Sequence, residues 1–167
     1  MKIIRAECKD LMDIIFLVRE SEKDLNSKGI HHWISNYPGF EIITRDIRNK
    51  SLYIIRNFGI CIGMVALNDT IIPEYNGITW VGKDEKVLYI HRLAVHPIWQ
   101  NEGIARKLLD FAEEYAAINK YTSIRLDICS TSTDEMSVFK EKEYFEAGEI
   151  FLPSQKLSNT CYEKALE

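Results

Sequence analysis

The chain lacks a Cys-x-x-Cys pair, a long uncharged apolar run at its start, and any dense cluster of lysine and arginine. Each absence removes a class of function. The cysteines, at positions 8, 61, 129 and 161, are widely spaced and stand in or beside apolar stretches, which reads as buried reduced thiols in a cytoplasmic protein. The neighbouring pair His31 and His32 has no carboxylate or cysteine at ligand spacing, so no metal is expected. Lys2, Arg5, Glu7, Lys9 and Asp10 interrupt the N-terminal segment before an export signal's apolar core could form. The basic residues Arg45, Arg48, Lys50 and Arg56 are scattered and the formal net charge is -4, which argues against nucleic acid as a partner. No Gly-x-Gly-x-x-Gly follows a strand and no Gly-Lys-Ser/Thr closes a glycine loop, so the common dinucleotide and triphosphate loops are missing too.

What is present is a globular composition. Hydrophobic residues make up 46% and charged residues 28%, too polar for a membrane protein and too apolar for a disordered one. At 167 residues the chain is expected to form a single domain over 1-167. Periodicity predicts a strand over 2–6, then a helix capped by Asp10 with an apolar face of Leu11, Ile14, Ile15 and Val18. A second helix follows over 40–49, with Phe40, Ile43 and Ile47 inward. Runs 51–56 and 60–67 read as a hairpin turning at Asn57-Phe58-Gly59, and 68–86 as a long connection. Further elements are a strand over 87–95, a helix from Gly103 to about Asn119 with Ile104, Leu108, Phe111, Ala112 and Tyr115 inward, a strand over 123–129, a helix over 133–142, and closing strands over 144–151 and 160–166. The order βααβββαβαββ is mixed α/β with a partly antiparallel sheet and no internal repeat.

The most informative stretch runs from Leu93 to Leu109. An apolar strand ends at Pro97, a short loop carries Gln100 and Gly103, and an amphipathic helix begins at once. The first N–H groups of a helix have no intrahelical partner, and the helix dipole adds about half a positive charge at that end. Arg106 and Lys107 stand in the first turn, where stability alone favours acids; two cations there suit an anion such as a phosphate, although a solvated basic pair after a turn glycine reads equally well.

The run Leu93-Ala94-Val95-His96-Pro97 followed by Gln100-x-x-Gly103-x-Ala105 resembles the acyl-CoA pyrophosphate loop of the GNAT superfamily of N-acetyltransferases. The element order is similar to that of the family throughout the chain. The resemblance implies a central, mixed, mostly antiparallel sheet with a V-shaped splay between two parallel strands, flanked by about four helices. It implies acetyl-CoA as co-substrate, and direct attack on its thioester by a primary amine of a small molecule or peptide in a ternary complex. Leu93, Ala94 and Val95 would pair with the pantetheine, Leu93 N–H would polarise the thioester carbonyl, and Gln100, Asn101, Glu102, Gly103, Ile104, Ala105 and Arg106 would hold the pyrophosphate.

His91 lies beside the implied thioester and is the candidate base; packing against Tyr89 is the other reading. Trp33, Tyr37 and Trp80 fall where the family builds its acceptor pocket, and could equally be half-buried aromatics over the sheet. His96, before a proline, needs only a structural role. The chain departs from the family late: Ser132 stands at the usual asparagine and Phe139 at the usual tyrosine acid, with Tyr53, Tyr89 and Tyr162 as replacements the sequence cannot place. That departure supports an alternative, a catalytically weak acyl-CoA-binding or sensing module. Homodimers are frequent in the family, so the resemblance also allows one here.

Overall fold

The longest apolar runs become the central strands. The structure, a computed structural model, describes residues 1–31, 37–82, 84–131, 133–153 and 155–166. In chain order the elements are β1 (Ile3–Arg5), α1 (Leu11–Ser27), α2 (Phe40–Arg48), β2 (Leu52–Asn57), β3 (Ile60–Asn68), β4 (Val87–Val95), α3 (Ile104–Ile118), β5 (Ser123–Cys129), α4 (Thr133–Glu141), β6 (Phe145–Ile150) and β7 (Asn159–Ala165). The strands form a seven-stranded sheet in the order β1-β2-β3-β4-β5-β7-β6. β1/β2, β2/β3, β5/β7 and β6/β7 pair antiparallel, and β4/β5 pair parallel. This is the mixed α/β architecture expected. Among the described residues no helix is long and apolar enough to cross a membrane.

The chain divides into two compact units, Met1–Leu67 with Arg92–Phe111, and Asn68–His91 with Ala112–Glu167. In the first, α1 and α2 bury Ile14, Leu17, Val18, Ile43 and Ile47 against Leu52, Ile54, Met64 and Ala66. Each such side chain stabilises the fold by about 1.5–3 kcal/mol. Three expectations are corrected here. Asp10 stands at the N-cap of α1 but makes no side-chain cap bond there; its carboxylate takes the Glu7 N–H at 2.8 Å, closing a 3-10 turn, and pairs with Arg56 at 2.8 Å. Phe40 is 57% exposed, because it is the first residue of α2 and the packed face is Ile43, Asp46 and Ile47. Cys8 is exposed in that turn, whereas Cys61, Cys129 and Cys161 are buried free thiols. Burial pushes Cys61 and Cys161 up to about 12, which keeps them protonated and inert at neutral pH.

Gly63 on β3 sets how closely α3 approaches. A Cβ there would lie 3.0 Å from Ile104 Cγ2, 3.0 Å from Ile55 Cγ2 and 3.1 Å from Leu108 Cδ1. Gly63→Ala is therefore expected to cost about 1–3 kcal/mol by overpacking. In a thermal melt that is a fall of roughly 2–4 °C per kcal/mol; an unchanged midpoint would show that α3 gives way without cost.

In the second unit, Tyr75, Val87, Tyr89, Ile150 and Cys161 make a core edged by Ile72, Ile78 and Trp80. The connection before β4 holds a 3-10 turn over Pro73–Gly77. It is tied down by Glu163, whose Oε2 accepts the N–H groups of Val81 and Gly82 at 2.8 and 3.1 Å. Along α3 the buried positions are Ile104, Leu108, Leu109, Ala112 and Ala116, with the expected Phe111 and Tyr115 only half-buried. The small alanines face inward and the rings flank them.

Candidate active site

In the first unit, β4 runs into a loop whose geometry its residues dictate. The Val95 carbonyl accepts from Ser21 Oγ at 3.4 Å, and His96 N–H donates to the Ile62 carbonyl at 2.9 Å. His96 is buried; its Nδ1 accepts the Ile98 N–H at 3.3 Å and its ring faces Phe16. It thus caps the 3-10 turn Pro97–Trp99, the structural role expected of it. Asn101 and Gly103 then take positive φ, +64° and +72°, and the Gly103 carbonyl accepts Lys107 N–H at 3.1 Å to start α3. Asparagine and glycine are the residues for which that conformation costs least.

Ile104 anchors the helix start in the core, while Asn101, Glu102, Gly103 and Arg106 are exposed and Ala105 is half-buried. A Cβ on Gly103 would meet nothing within 4 Å, so the ground above the loop is open. No acidic residue stands in the first turn of α3. Open space, an unopposed dipole and helix-start N–H groups fit an anion such as a pyrophosphate. Gln100 is half-buried, and its Oε1 receives Lys28 Nζ from the end of α1 at 3.5 Å.

Within the same strand, Arg92 has φ +50°, a strained value for a long side chain. It is pinned by Asp46 of α2, 2.6 Å from its Nε, with both side chains nearly buried. Burial holds the Asp46 carboxyl above its ordinary range, partly opposed by the arginine. The residues that follow are Leu93 and Val95, half-buried, and Ala94, buried. The structure therefore brings Leu93, Ala94, Val95 and Gln100 to Arg106 together in one continuous strand, loop and helix start. Tyr37, also in this unit, is half-buried.

The second unit holds the remaining candidates. The β4/β5 ladder covers Val87↔Ser123, Leu88↔Ile124 and Tyr89↔Arg125, and both strands run on past it. His91 lies just beyond, half-buried, with its ring stacked on Tyr89 at 6.2 Å. Trp80 packs edge-on to Tyr75 and lies against Arg125, whose guanidinium is 4.6 Å from the indole centre. Phe139 is 1% exposed, stacked on Tyr162 at 5.4 Å and edge-on to Tyr144. It is a core residue here, with no hydroxyl to offer. Trp33 and Ser132 lie outside the described residues.

Sequence reasoning missed Asp46, Tyr75 and Asp127. Asp127 accepts the Tyr75 hydroxyl at Oδ1 and Asn159 Nδ2 at Oδ2, the latter at 2.6 Å. Burial pushes its carboxyl up, against the pull of those two hydrogen bonds. The signal was present in β5: Ile124-Arg125-Leu126-Asp127-Ile128 alternates, and so sets both charges on one face. Among the described residues no group of three or more His, Cys, Asp or Glu could hold a metal ion.

Comparison with known proteins agrees with this geometry. The family model for the acetyltransferase (GNAT) family matches residues 16–142. An uncharacterised N-acetyltransferase of Bacillus subtilis strain 168, YesJ, is 26% identical over 148 residues, covering 84% of this chain and 79% of its own. A GNAT-family acetyltransferase from Streptococcus agalactiae superposes with a TM-score of 0.81 at 20% identity, covering 99% and 95% of the two chains. YncA of Salmonella typhimurium, an acetyltransferase solved with its cofactor acetyl-CoA, gives 0.74 at 15% identity over 100% and 94%. With the loop, the strand order and the family model in agreement over most of its length, the chain belongs to the GNAT family of acetyltransferases.

Proposed function

We propose that this chain is a single-domain, acyl-CoA-dependent N-acetyltransferase that moves an acetyl group from acetyl-CoA to a primary amine of a small molecule or peptide. The observation that carries the reading is the loop from Gln100 to Arg106, with its two left-handed residues and its acid-free helix start. The free thiols support a reducing, cytoplasmic setting.

Acetyl-CoA supplies an activated acetyl thioester, whose thiol, with a pKa near about 8.5, is a tolerable leaving group at neutral pH. The protein does the rest. Backbone N–H groups from Asn101 to Arg106 hold the pyrophosphate, and main-chain groups of Leu93 and Val95 align the pantetheine. Leu93 N–H donates to the thioester carbonyl. An amine with pKa about 10.4 costs about 4.6 kcal/mol to present as free base at pH 7, and His91 takes that proton. As the amine nitrogen bonds to the acetyl carbon, the carbon–sulfur bond breaks, CoA leaves as the thiolate, and the nitrogen's second proton passes to solvent. Phe139 cannot protonate it, which favours a second reading, a binding or sensing module with weak transfer.

Thermal unfolding with and without acetyl-CoA, with thiol release followed against a panel of amines, separates these. At a ligand concentration about 100 times Kd the gain is roughly 2.7 kcal/mol, a shift of about 5–11 °C. A shift with release on one amine class supports the enzyme, and His91→Ala should then lower the rate and alter its pH profile. A shift without release supports the binding module; no shift overturns both.

A further inference from the structure

One left-handed residue of the first unit is out of place. Among the described residues, the other non-glycine residues with positive φ stand where the chain turns. Lys50, Lys120 and Glu143 follow the ends of α2, α3 and α4, Phe58 is in the hairpin turn, and Asn101 is in the loop before α3. Arg92 alone interrupts a strand. The strand itself gains nothing from this, since a left-handed residue breaks its alternation and is costly for a long side chain. Such a conformation persists only where the surroundings over-determine it, and it gathers at sites where the strain serves a function.

What over-determines Arg92 is specific. The Asp46 carboxylate lies 2.6 Å from its Nε, and both side chains are nearly buried. Asp46 is itself fixed, because its carbonyl accepts the Ser51 N–H at 3.0 Å and the Ser51 hydroxyl at 3.1 Å where α2 gives way to β2. Further along β4, Ala94 is held in the core and His96 N–H donates to the Ile62 carbonyl at 2.9 Å. Behind, the ladder to β5 has ended at Tyr89. Arg92 and Leu93 lie between these anchors, and the Asp46 carboxylate reaches them from α2.

What this arrangement aims is the next amide. The peptide plane that carries the Leu93 N–H starts at Arg92 Cα, so the Arg92 torsions turn that N–H relative to the strand. Leu93 N–H is the group proposed above to donate to the thioester carbonyl. A donor in that role is effective when it already points at the oxygen before the reaction begins.

We propose that Asp46 and Arg92 are positioning residues, whose ion pair holds Arg92 left-handed and so aims the Leu93 N–H at the thioester carbonyl. The proposal rests on the acetyl-transfer reading above. Neither side chain exchanges a proton during transfer; both act through the backbone.

The test uses Arg92→Ala and Arg92→Gly in the full chain, which remove the same ion pair but differ in the backbone they allow. Alanine falls back toward an extended φ, whereas glycine keeps the left-handed one open without strain. The first readout is the infrared carbonyl band of bound acetyl-CoA, isotopically labelled at the carbonyl carbon. On the wild-type chain it should lie below the band of the free thioester, because a hydrogen bond weakens the carbonyl double bond. In Arg92→Ala it should return toward the free position, and in Arg92→Gly it should fall between. Asp46→Asn, which keeps the shape and removes the charge, should also move it part of the way, and decides the matter if Arg92→Ala fails to fold.

The second readout is kcat with the amine that releases thiol fastest. It should fall about 10- to 100-fold in Arg92→Ala, within what one oxyanion donor contributes, and less in Arg92→Gly. The Kd for acetyl-CoA should stay within about threefold in both, the scale of small indirect effects. A merely structural ion pair would weaken both variants alike and leave the band of the folded chain in place. Equal kcat losses with an unmoved band therefore overturn the proposal, as does wild-type behaviour in both variants. A wild-type chain that binds acetyl-CoA without shifting the band overturns it too. The band needs no acceptor, so a chain that binds without transfer is decided by the band alone. Failure to bind acetyl-CoA at all overturns the acetyl-transfer reading, and the proposal with it.

Discussion

Gly103→Asp should abolish CoA binding while Gly103→Asn leaves it nearly intact. The two substitutions have the same shape, and both residue types tolerate the +72° φ better than most. Neither side chain meets steric resistance, because nothing lies within 4 Å of the new Cβ. Only the charge differs. A carboxylate about 4 Å from a phosphate charge repels it by about 4 kcal/mol at an effective dielectric of 20, roughly a thousandfold in affinity. Calorimetry with CoA and the two variants measures this directly. If aspartate and asparagine weaken binding equally, the loop does not hold the phosphates.

Asp46→Ala should be among the most destabilising single changes in the first unit, by about 3–5 kcal/mol, because it strands the nearly buried Arg92 guanidinium. Arg92→Gly should cost distinctly less, for two reasons. Glycine adopts the +50° φ of this position without strain. The carboxyl left behind, already raised by burial, can take up a proton, which an arginine left alone cannot shed. The pH dependence has a definite sign. A carboxyl whose folded pKa lies above its unfolded value favours the folded state most below the unfolded pKa, and that contribution fades as pH rises through the folded one. The Arg92→Gly deficit should therefore shrink on acidification from neutral toward about pH 4, the ordinary range of a carboxylate. Urea unfolding at several pH values tests it; equal costs for the two variants at every pH would mean the ion pair is not what holds this part of β4.

How much of this was legible in the sequence depended on range. β4 and β5 were located to the residue, because each is an apolar run with clear punctuation, His96-Pro97 after one and Thr122 before the other. The loop from Gln100 to Gly103 was legible for the same reason: strand, turn and helix start are contiguous. The hairpin's turn was shorter than read. Its two turn residues are Phe58 and Gly59, at φ +47° and +81°, and nothing in a phenylalanine announces a left-handed turn. What stayed hidden were charges whose partners are distant in the chain. Asp46 looks like a solvated helix residue until Arg92 closes on it, and Asp127 meets Tyr75 across 52 residues. Period and propensity are local quantities and carry no trace of such pairs. Phe111 and Tyr115 erred differently: hydrophobicity marks the side of α3 that faces inward, but the tightest packing went to Ala112 and Ala116.

Neither compact unit is continuous along the chain, and this constrains how the protein is born. The first unit is incomplete at Leu67 and is finished only by Arg92–Phe111, after a stretch belonging to the second has been made. At about 5–20 residues per second, a ribosome takes roughly 2–9 s to travel from Leu67 to Phe111. During that interval α1, α2 and the first hairpin have been synthesised without the segment that carries Ala94 of their core and Ile104, the neighbour of Gly63. The nascent chain therefore carries a half-built apolar layer until Arg92–Phe111 emerges, so the stretch proposed to hold the phosphates is also the one that completes the first folding unit.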